Sequence, residues 1–293
     1  MLKGSLVALV TPFNSDNSVN YEELEKLLEY HMNNETDGIV ILGTTAEATT
    51  LSHEESCKIV EFSVKKVNKK IPVIVGAGSN DTLKAVKLAK DFSKLGADYL
   101  LVITPYYNKT NEKGLINHFE MVAEASSCPL ILYNVPSRTG MSISLKAIEV
   151  LSKNKNIYGI KEASGNMSYA MEVAKHVNDD FVMYSGNDDI IVPMMAAGAM
   201  GVISVLANIC PNQVHKMCEL CINNDFNAAR KIQNDLLDVA NSLFYETNPI
   251  PVKAALNYLG FNVGGYRMPL YDMSPDNFKR MTSVIDSKKG VIM

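Results

Sequence analysis

Lys161 is the residue whose setting in this chain most invites chemistry. It ends the apolar run Ile157-Tyr158-Gly159-Ile160. A lysine leaving an apolar strand loses water, which favours its neutral form. A neutral amine attacks a carbonyl carbon to form a Schiff base, and the imine then acts as an electron sink. The same position also suits a lysine ion-paired with Glu162 or another carboxylate. Tyr133 ends the preceding run, Leu130–Tyr133. Its phenol can relay protons at an imine, or it can be an amphipathic tyrosine at a rim. Gly43-Thr44-Thr45 offers small hydroxyls and turn amides that can hold a carboxylate, or cap the helix beginning near Ser52. Arg138 can grip a second carboxylate in a forked pair, or stay solvated.

Other chemistries lack their residues. The histidines His31, His53, His118, His176 and His215 show no close metal-binding spacing. Gly76-Ala77-Gly78 lacks the third glycine of a dinucleotide fingerprint, because Asp81 stands there. There is no phosphate-loop sequence and no G-x-S-x-G elbow. Cys218 and Cys221 form a C-x-x-C inside a helical pattern, which reads as core packing. A zinc site there would need two more ligands, and only His215 offers itself.

The elements that must position these residues alternate between short apolar runs and longer helical stretches. The strands read as Leu6–Val10, Gly38–Leu42, Val73–Gly76, Tyr99–Ile103, Leu130–Tyr133, Ile157–Lys161, Phe181–Ser185 and Gly201–Val205. Helical patterns follow at Tyr21–Asn33, Ser52–Asn68, Asp81–Leu95, Glu112–Ala125, Ser142–Leu151, Met167–His176 and Asp188–Ala197. Asp81 and Ser142 suit N-caps. Gly38, Gly96, Gly159 and Gly198 lie near the handovers from helix to strand, where left-handed turns are common. Eight such strands select a closed α/β architecture, a (β/α)8 TIM barrel, with its active site at the C-terminal ends of the strands. From Pro211 onward only helices are expected, at Gln213–Asn223, Phe226–Tyr245, Pro251–Leu259 and Ser274–Asp286. The expected division is a barrel over 1–224 and a C-terminal helical extension over 225–293, packed on the barrel.

Of 293 residues, 47% are hydrophobic and 20% charged, which is ordinary globular usage. A net charge of −4 gives no reason to expect nucleic acid or an anionic membrane as partner. The N-terminus lacks the pattern of a signal peptide and no run is long enough to span a bilayer, so a soluble, cytoplasmic protein is expected. Five cysteines, an odd count, argue against a disulfide framework.

At these residues the chain resembles the dihydrodipicolinate synthase family within the N-acetylneuraminate lyase superfamily. The matching pieces are Gly43-Thr44-Thr45-Ala46-Glu47, Tyr106-Tyr107-Asn108, Tyr133-Asn134-Val135-Pro136-Ser137-Arg138-Thr139-Gly140, Lys161-Glu162-Ala163-Ser164-Gly165 and Asn248-Pro249-Ile250-Pro251-Val252-Lys253. The resemblance implies a lyase condensing pyruvate with L-aspartate 4-semialdehyde, in diaminopimelate and lysine biosynthesis. It implies Lys161 as the Schiff-base lysine, with Tyr133, Thr44 and Tyr107 as a proton relay. Tyr107 would reach the site of a neighbouring subunit in a homotetramer, a dimer of dimers, with a dimer as the other option. Thr45 would bind the pyruvate carboxylate and Arg138 that of the second substrate, with backbone carbonyls of Gly186 and Ile203 nearby. No metal or cofactor is implied.

The family usually has glycine where Ala46 stands, so a positive φ there would strain this loop. Many members bind L-lysine as an inhibitor in a pocket matching Ala48, Thr49, His53, Ser56, Asn80, Lys84 and Tyr106. Inhibitable members tend to carry histidine at Ser56 and glutamate at Lys84, so lysine is expected to inhibit weakly or not at all. A sugar-acid aldolase or sialic acid lyase of the same superfamily would keep Lys161 and Tyr133 and dispense with Arg138. A barrel that only binds a small molecule would have no reason to keep Lys161, Tyr133, Thr44 and Tyr107 together.

Overall fold

Strands that are apolar on both faces must be covered on both, and this chain covers them by closing the sheet on itself. The structure, a computed structural model, describes residues 2–292. Its strands are β1 (Gly4–Ala8), β2 (Gly38–Ile41), β3 (Val73–Gly76), β4 (Tyr99–Ile103), β5 (Leu130–Asn134), β6 (Ile157–Glu162), β7 (Val182–Ser185) and β8 (Gly201–Ser204). They pair in parallel in sequence order, and β8 closes the ring on β1. Alternate residues face opposite sides. Leu6, Val40, Ile74, Leu101, Ile131 and Val182 fill the inside, while Val7, Ile39, Val75, Val102, Leu132 and Met183 pack outward against helices.

Those helices are α1 (Tyr21–Asn33), α2 (His53–Val67), α3 (Thr82–Lys94), α4 (Glu112–Ala125), α5 (Pro136–Thr139), α6 (Leu145–Leu151), α7 (Met167–Ala174), α8 (Ile191–Ala196) and α9 (Pro211–Ile222). Beyond them come α10 (Phe226–Ser242), α11 (Ile250–Tyr258), α12 (Pro275–Ser287) and α13 (Lys289–Ile292). The eight expected strands are present, with ends shifted by a residue or two. The N-terminal end of the barrel is shut. The Leu2 N–H donates to the Tyr158 hydroxyl at 2.9 Å, and the Tyr184 hydroxyl donates to the Leu2 carbonyl at 2.7 Å. Only the C-terminal end is left for a site.

Several local expectations change. Asp81 caps α3 as expected, but Ser144 rather than Ser142 caps α6. The reason is that the Ile143 N–H donates to Asn134 Oδ1 at 3.0 Å, which holds the chain extended and delays the helix. Gly96 and Gly198 have the expected positive φ, +100° and +106°. Gly38 and Gly159 lie inside strands instead, and a Cβ on Gly159 would stand 2.3 Å from the Val182 carbonyl oxygen. Cys218 and Cys221 are buried free thiols on α9. His215 pairs through Nδ1 with Asp37 Oδ2 at 2.9 Å.

His31, wholly buried on α1, is a polar cost within this packing. Its Nδ1 lies 3.0 Å from Thr36 Oγ1, and its Nε2 has no partner among the described residues. Burial pushes its imidazole down from 6.5 to about 3. The unfolded chain therefore takes up a proton below 6.5 that the folded chain refuses until about 3. Stability should fall as pH drops through that interval, by up to about 5 kcal/mol if the whole of it is crossed. Urea unfolding of wild type and His31→Leu across this range should show a shallower loss for the variant. Parallel curves would assign the acid sensitivity elsewhere.

Candidate active site

Parallel register decides what surrounds Lys161. It stands opposite Tyr133 of β5 and Tyr184 of β7, and all three side chains enter the barrel. Lys161 is buried, and its Nζ lies 4.5 Å from the centroid of the Tyr133 ring. It has no ion pair and no hydrogen bond among the described residues. Glu162, on the opposite face of the strand, is occupied elsewhere. Its carboxylate accepts from Asn134 Nδ2 at 2.6 Å and from the Ser164 N–H at 2.7 Å. Burial raises the Glu162 carboxyl, against the pull of those bonds. The ion pair between Lys161 and Glu162 that the sequence position allowed is therefore not formed.

Asp188 and Gly186 shape the wall beside it. The buried Asp188 carboxylate accepts from Ser204 Oγ at 2.5 Å and from the Val205 and Leu206 N–H groups, each at 2.9 Å. These bonds pin the end of β8. Burial raises the Asp188 carboxyl, while Ser204, the two amides and the Lys161 charge act in the opposite direction. Gly186 leaves room for the amine, since a Cβ there would stand 3.0 Å from Lys161 Cε and 2.4 Å from Ala163 Cβ.

A cavity of about 230 Å³ opens at this point, lined by Thr44, Thr45, Tyr133, Arg138, Lys161 and Gly186, together with Asn248. It is smaller than the ~300–1,000 Å³ of drug-sized sites and suits a small acid. Arg138 is exposed at its edge, and its guanidinium donates to the Asn248 carbonyl at 2.9 Å. Two expected residues are not in the lining. Ile203 packs inside the barrel with 1% exposure. Tyr107 is 90% exposed with φ +68°, outside the cavity of its own chain.

A larger cavity of about 740 Å³ shares Gly43, Thr44, Leu101, Tyr133 and Arg138 with the first. It runs between α2 and α3 and includes Ala48, Thr49, His53, Ser56, Lys84 and Tyr106, but not Asn80.

Ala46 does not need a positive φ. The left-handed residues flanking it are Leu42 at +54° and Glu47 at +56°. Its methyl group is buried and its carbonyl accepts from Thr11 Oγ1 at 2.7 Å. The polar neighbours Asp188 and Asn248 escaped the residue-by-residue reading. Asn248 Nδ2 donates to Thr45 Oγ1 at 3.0 Å, which leaves the threonine proton free to be donated to a ligand. Asn248 lay within a matching motif, but nothing in its residue type pointed to a role. Among the described residues, no group of three His, Cys, Asp or Glu is placed to hold a metal ion. None of their helices is long and apolar enough to cross a membrane.

The model of the dihydrodipicolinate synthetase family matches residues 1–288. A 4-hydroxy-tetrahydrodipicolinate synthase of Clostridium perfringens (strain SM101 / Type A) is 50% identical over 277 residues, covering 94% of this chain and 95% of that one. Among solved structures, the chloride-inhibited dihydrodipicolinate synthase from Acinetobacter baumannii, complexed with pyruvate, is 40% identical. It covers 100% of both chains with a TM-score of 0.97. DHDPS from Cyanidioschyzon merolae with lysine bound is 34% identical, covers 99% of both chains and gives a TM-score of 0.95.

Proposed function

The chain belongs to the dihydrodipicolinate synthetase family, and from that premise we infer that it condenses pyruvate with L-aspartate 4-semialdehyde to give 4-hydroxy-tetrahydrodipicolinate. The reaction serves diaminopimelate and lysine biosynthesis. The observation that carries this reading is the unpaired amine of Lys161, buried in a small cavity against Tyr133.

Lys161 Nζ attacks the ketone carbon of pyruvate, and water leaves as the imine forms. Tyr133 and Thr44 move the protons between amine, hydroxyl and solvent. Loss of a methyl proton turns the imine into an enamine, whose carbon attacks the aldehyde. The amino group of the second substrate then attacks the imine carbon, closes the ring and releases Lys161. Thr45, oriented by Asn248, donates to the pyruvate carboxylate. Arg138, at the cavity's edge, takes the carboxylate of the aldehyde substrate in a forked pair. Gly186 makes room for the lysine, and Ile203 offers its carbonyl from the barrel wall.

Tyr107 completes the relay from a neighbouring subunit, in a homotetramer built as a dimer of dimers. Its exposure and left-handed backbone support this reading. A tyrosine 90% exposed on a left-handed turn is free to reach a neighbouring subunit. The same reading places the enzyme in the cytoplasm. L-Lysine inhibits weakly or not at all. The charged and imidazole side chains lining the larger cavity are His53, Lys84, Lys87 and Arg138, none of them acidic. Nearby Asp91 is already engaged by Lys87 at 2.6 Å and His53 at 3.1 Å. A cationic amino acid would find no free carboxylate there.

Borohydride added with pyruvate should trap one reduced adduct on Lys161, and Lys161→Arg should stay folded and lose more than about 1,000-fold in turnover. Of L-aspartate 4-semialdehyde, N-acetylmannosamine and glyceraldehyde, only the first should consume pyruvate; turnover with a sugar aldehyde would overturn the role of Arg138. Tyr107→Phe and Lys161→Arg subunits, each nearly inactive, should regain activity when co-assembled, because some sites then combine both intact residues. Mixtures no more active than their parents would rule out a contribution of Tyr107 to a neighbouring subunit's site. Initial rates should be almost unchanged by millimolar L-lysine, and sub-millimolar inhibition would contradict the charge argument.

A further inference from the structure

The turn that carries Thr44 and Thr45 is held from the far end of the chain. Glu47, which closes that turn, has a φ of +56°, a backbone conformation that side chains disfavour. Its carboxylate is also buried, which is costly unless fully paired. Both features persist because the C-terminal segment over-determines them. Lys253 Nζ of α11 meets Glu47 Oε1 at 2.8 Å, with the two side chains 0% and 1% exposed. The Arg267 N–H donates to Glu47 Oε2 at 3.0 Å. Lys253 itself donates to the Gly265 carbonyl and lies 4.3 Å from the centroid of the Phe13 ring.

The pair passes its position on to the turn. The Glu47 N–H donates to the Thr44 carbonyl at 3.1 Å, and the Glu47 carbonyl accepts from the Thr50 N–H at 3.0 Å. A shift of the carboxylate therefore moves the backbone next to Thr44. We propose that Glu47 and Lys253 are positioning residues for the reaction, whose buried ion pair fixes the turn that presents Thr44 and Thr45 to pyruvate. This rests on the reading of those threonines as the pyruvate-handling hydroxyls.

Cohesion alone does not account for an ion pair here. Burial pushes the Lys253 ammonium down, and the Glu47 charge only partly restores it. Apolar side chains of similar volume would hold α11 to the barrel as well or better. What they lack is direction. A carboxylate fixed by one ammonium and one backbone N–H has a single orientation, and the turn inherits it. Catalytic geometry is sensitive to displacements below an ångström, whereas packing tolerates them.

Two variants separate position from cohesion. Glu47→Gln/Lys253→Met removes both charges while keeping volume, so no buried charge is stranded. Glu47→Asp keeps the charge, shortens its reach and accepts a positive φ, since aspartate is enriched in that region. Each is assayed well below its melting temperature by the rate of borohydride-trapped pyruvate adduct and by separate KM values for the two substrates. The double variant should melt near wild type and Glu47→Asp somewhat below it, and both should trap pyruvate at least about tenfold more slowly and show a raised KM for pyruvate with that for the aldehyde within about twofold. If the double variant does not fold, Glu47→Asp decides alone. Folded variants that trap pyruvate at the wild-type rate would overturn the positioning role and leave the Lys161 chemistry intact. Wild-type protein that traps no pyruvate on Lys161 would overturn the functional reading itself, and this inference with it.

Discussion

A buried amine stays available only if every carboxylate near it is already engaged. That constraint organises the mouth of this barrel. Glu162 is taken by Asn134 and Ser164, and Asp188 by Ser204 and two backbone amides. Each of these bonds satisfies a group whose burial unpaired would be costly. Together they leave Lys161 beside an aromatic ring rather than an acid. The open position of this amine depends on how its surroundings are saturated as much as on the lysine itself.

The strand ends were legible because they obey local rules. Short apolar runs between helical stretches locate β5 and β6. Their ends then bring Tyr133 and Lys161 to neighbouring strand termini, while the pairing of the two depends on a register shift between Leu130 and Ile131 that no local rule foretells. The Thr44 turn and the Arg138 loop follow from the same logic, since both leave the C-terminal ends of strands. The N-cap at Ser144 was missed because a tertiary bond from Asn134 to Ile143 overrides the local capping choice.

The contributions of Asn248 and Lys253 were illegible for a different reason. They reach partners 203 and 206 residues away. No periodicity carries contacts at that range, and an asparagine in a turn or a lysine on a helix looks like surface until the barrel is closed beneath it. Ala46 shows the converse. A familiar glycine position raised the question of a positive φ there, and the strain falls instead on its neighbour Glu47, where it can be held by a buried ion pair. A motif reports which residues recur, whereas only the folded turn shows which of them bears the unfavourable angle.

The two cavities share a wall but not a foundation. Thr44, Tyr133 and Arg138 face both. The smaller one is anchored by strand ends and by the C-terminal segment. The larger one draws much of its lining from α2, α3 and the turn between Ala48 and Ser52. Lys84 sits in the first turn of α3, exposed, with its backbone N–H capped by Asp81. Its charge can change without disturbing that cap or any bond that holds Thr44, Tyr133 or Lys161. Among the described residues, the Ser56 hydroxyl bonds only to the carbonyl of Ser52, which caps its own helix. A fold arranged in this way can alter which ligand the larger cavity accepts while the geometry of the amine, the phenol and the threonines stays fixed.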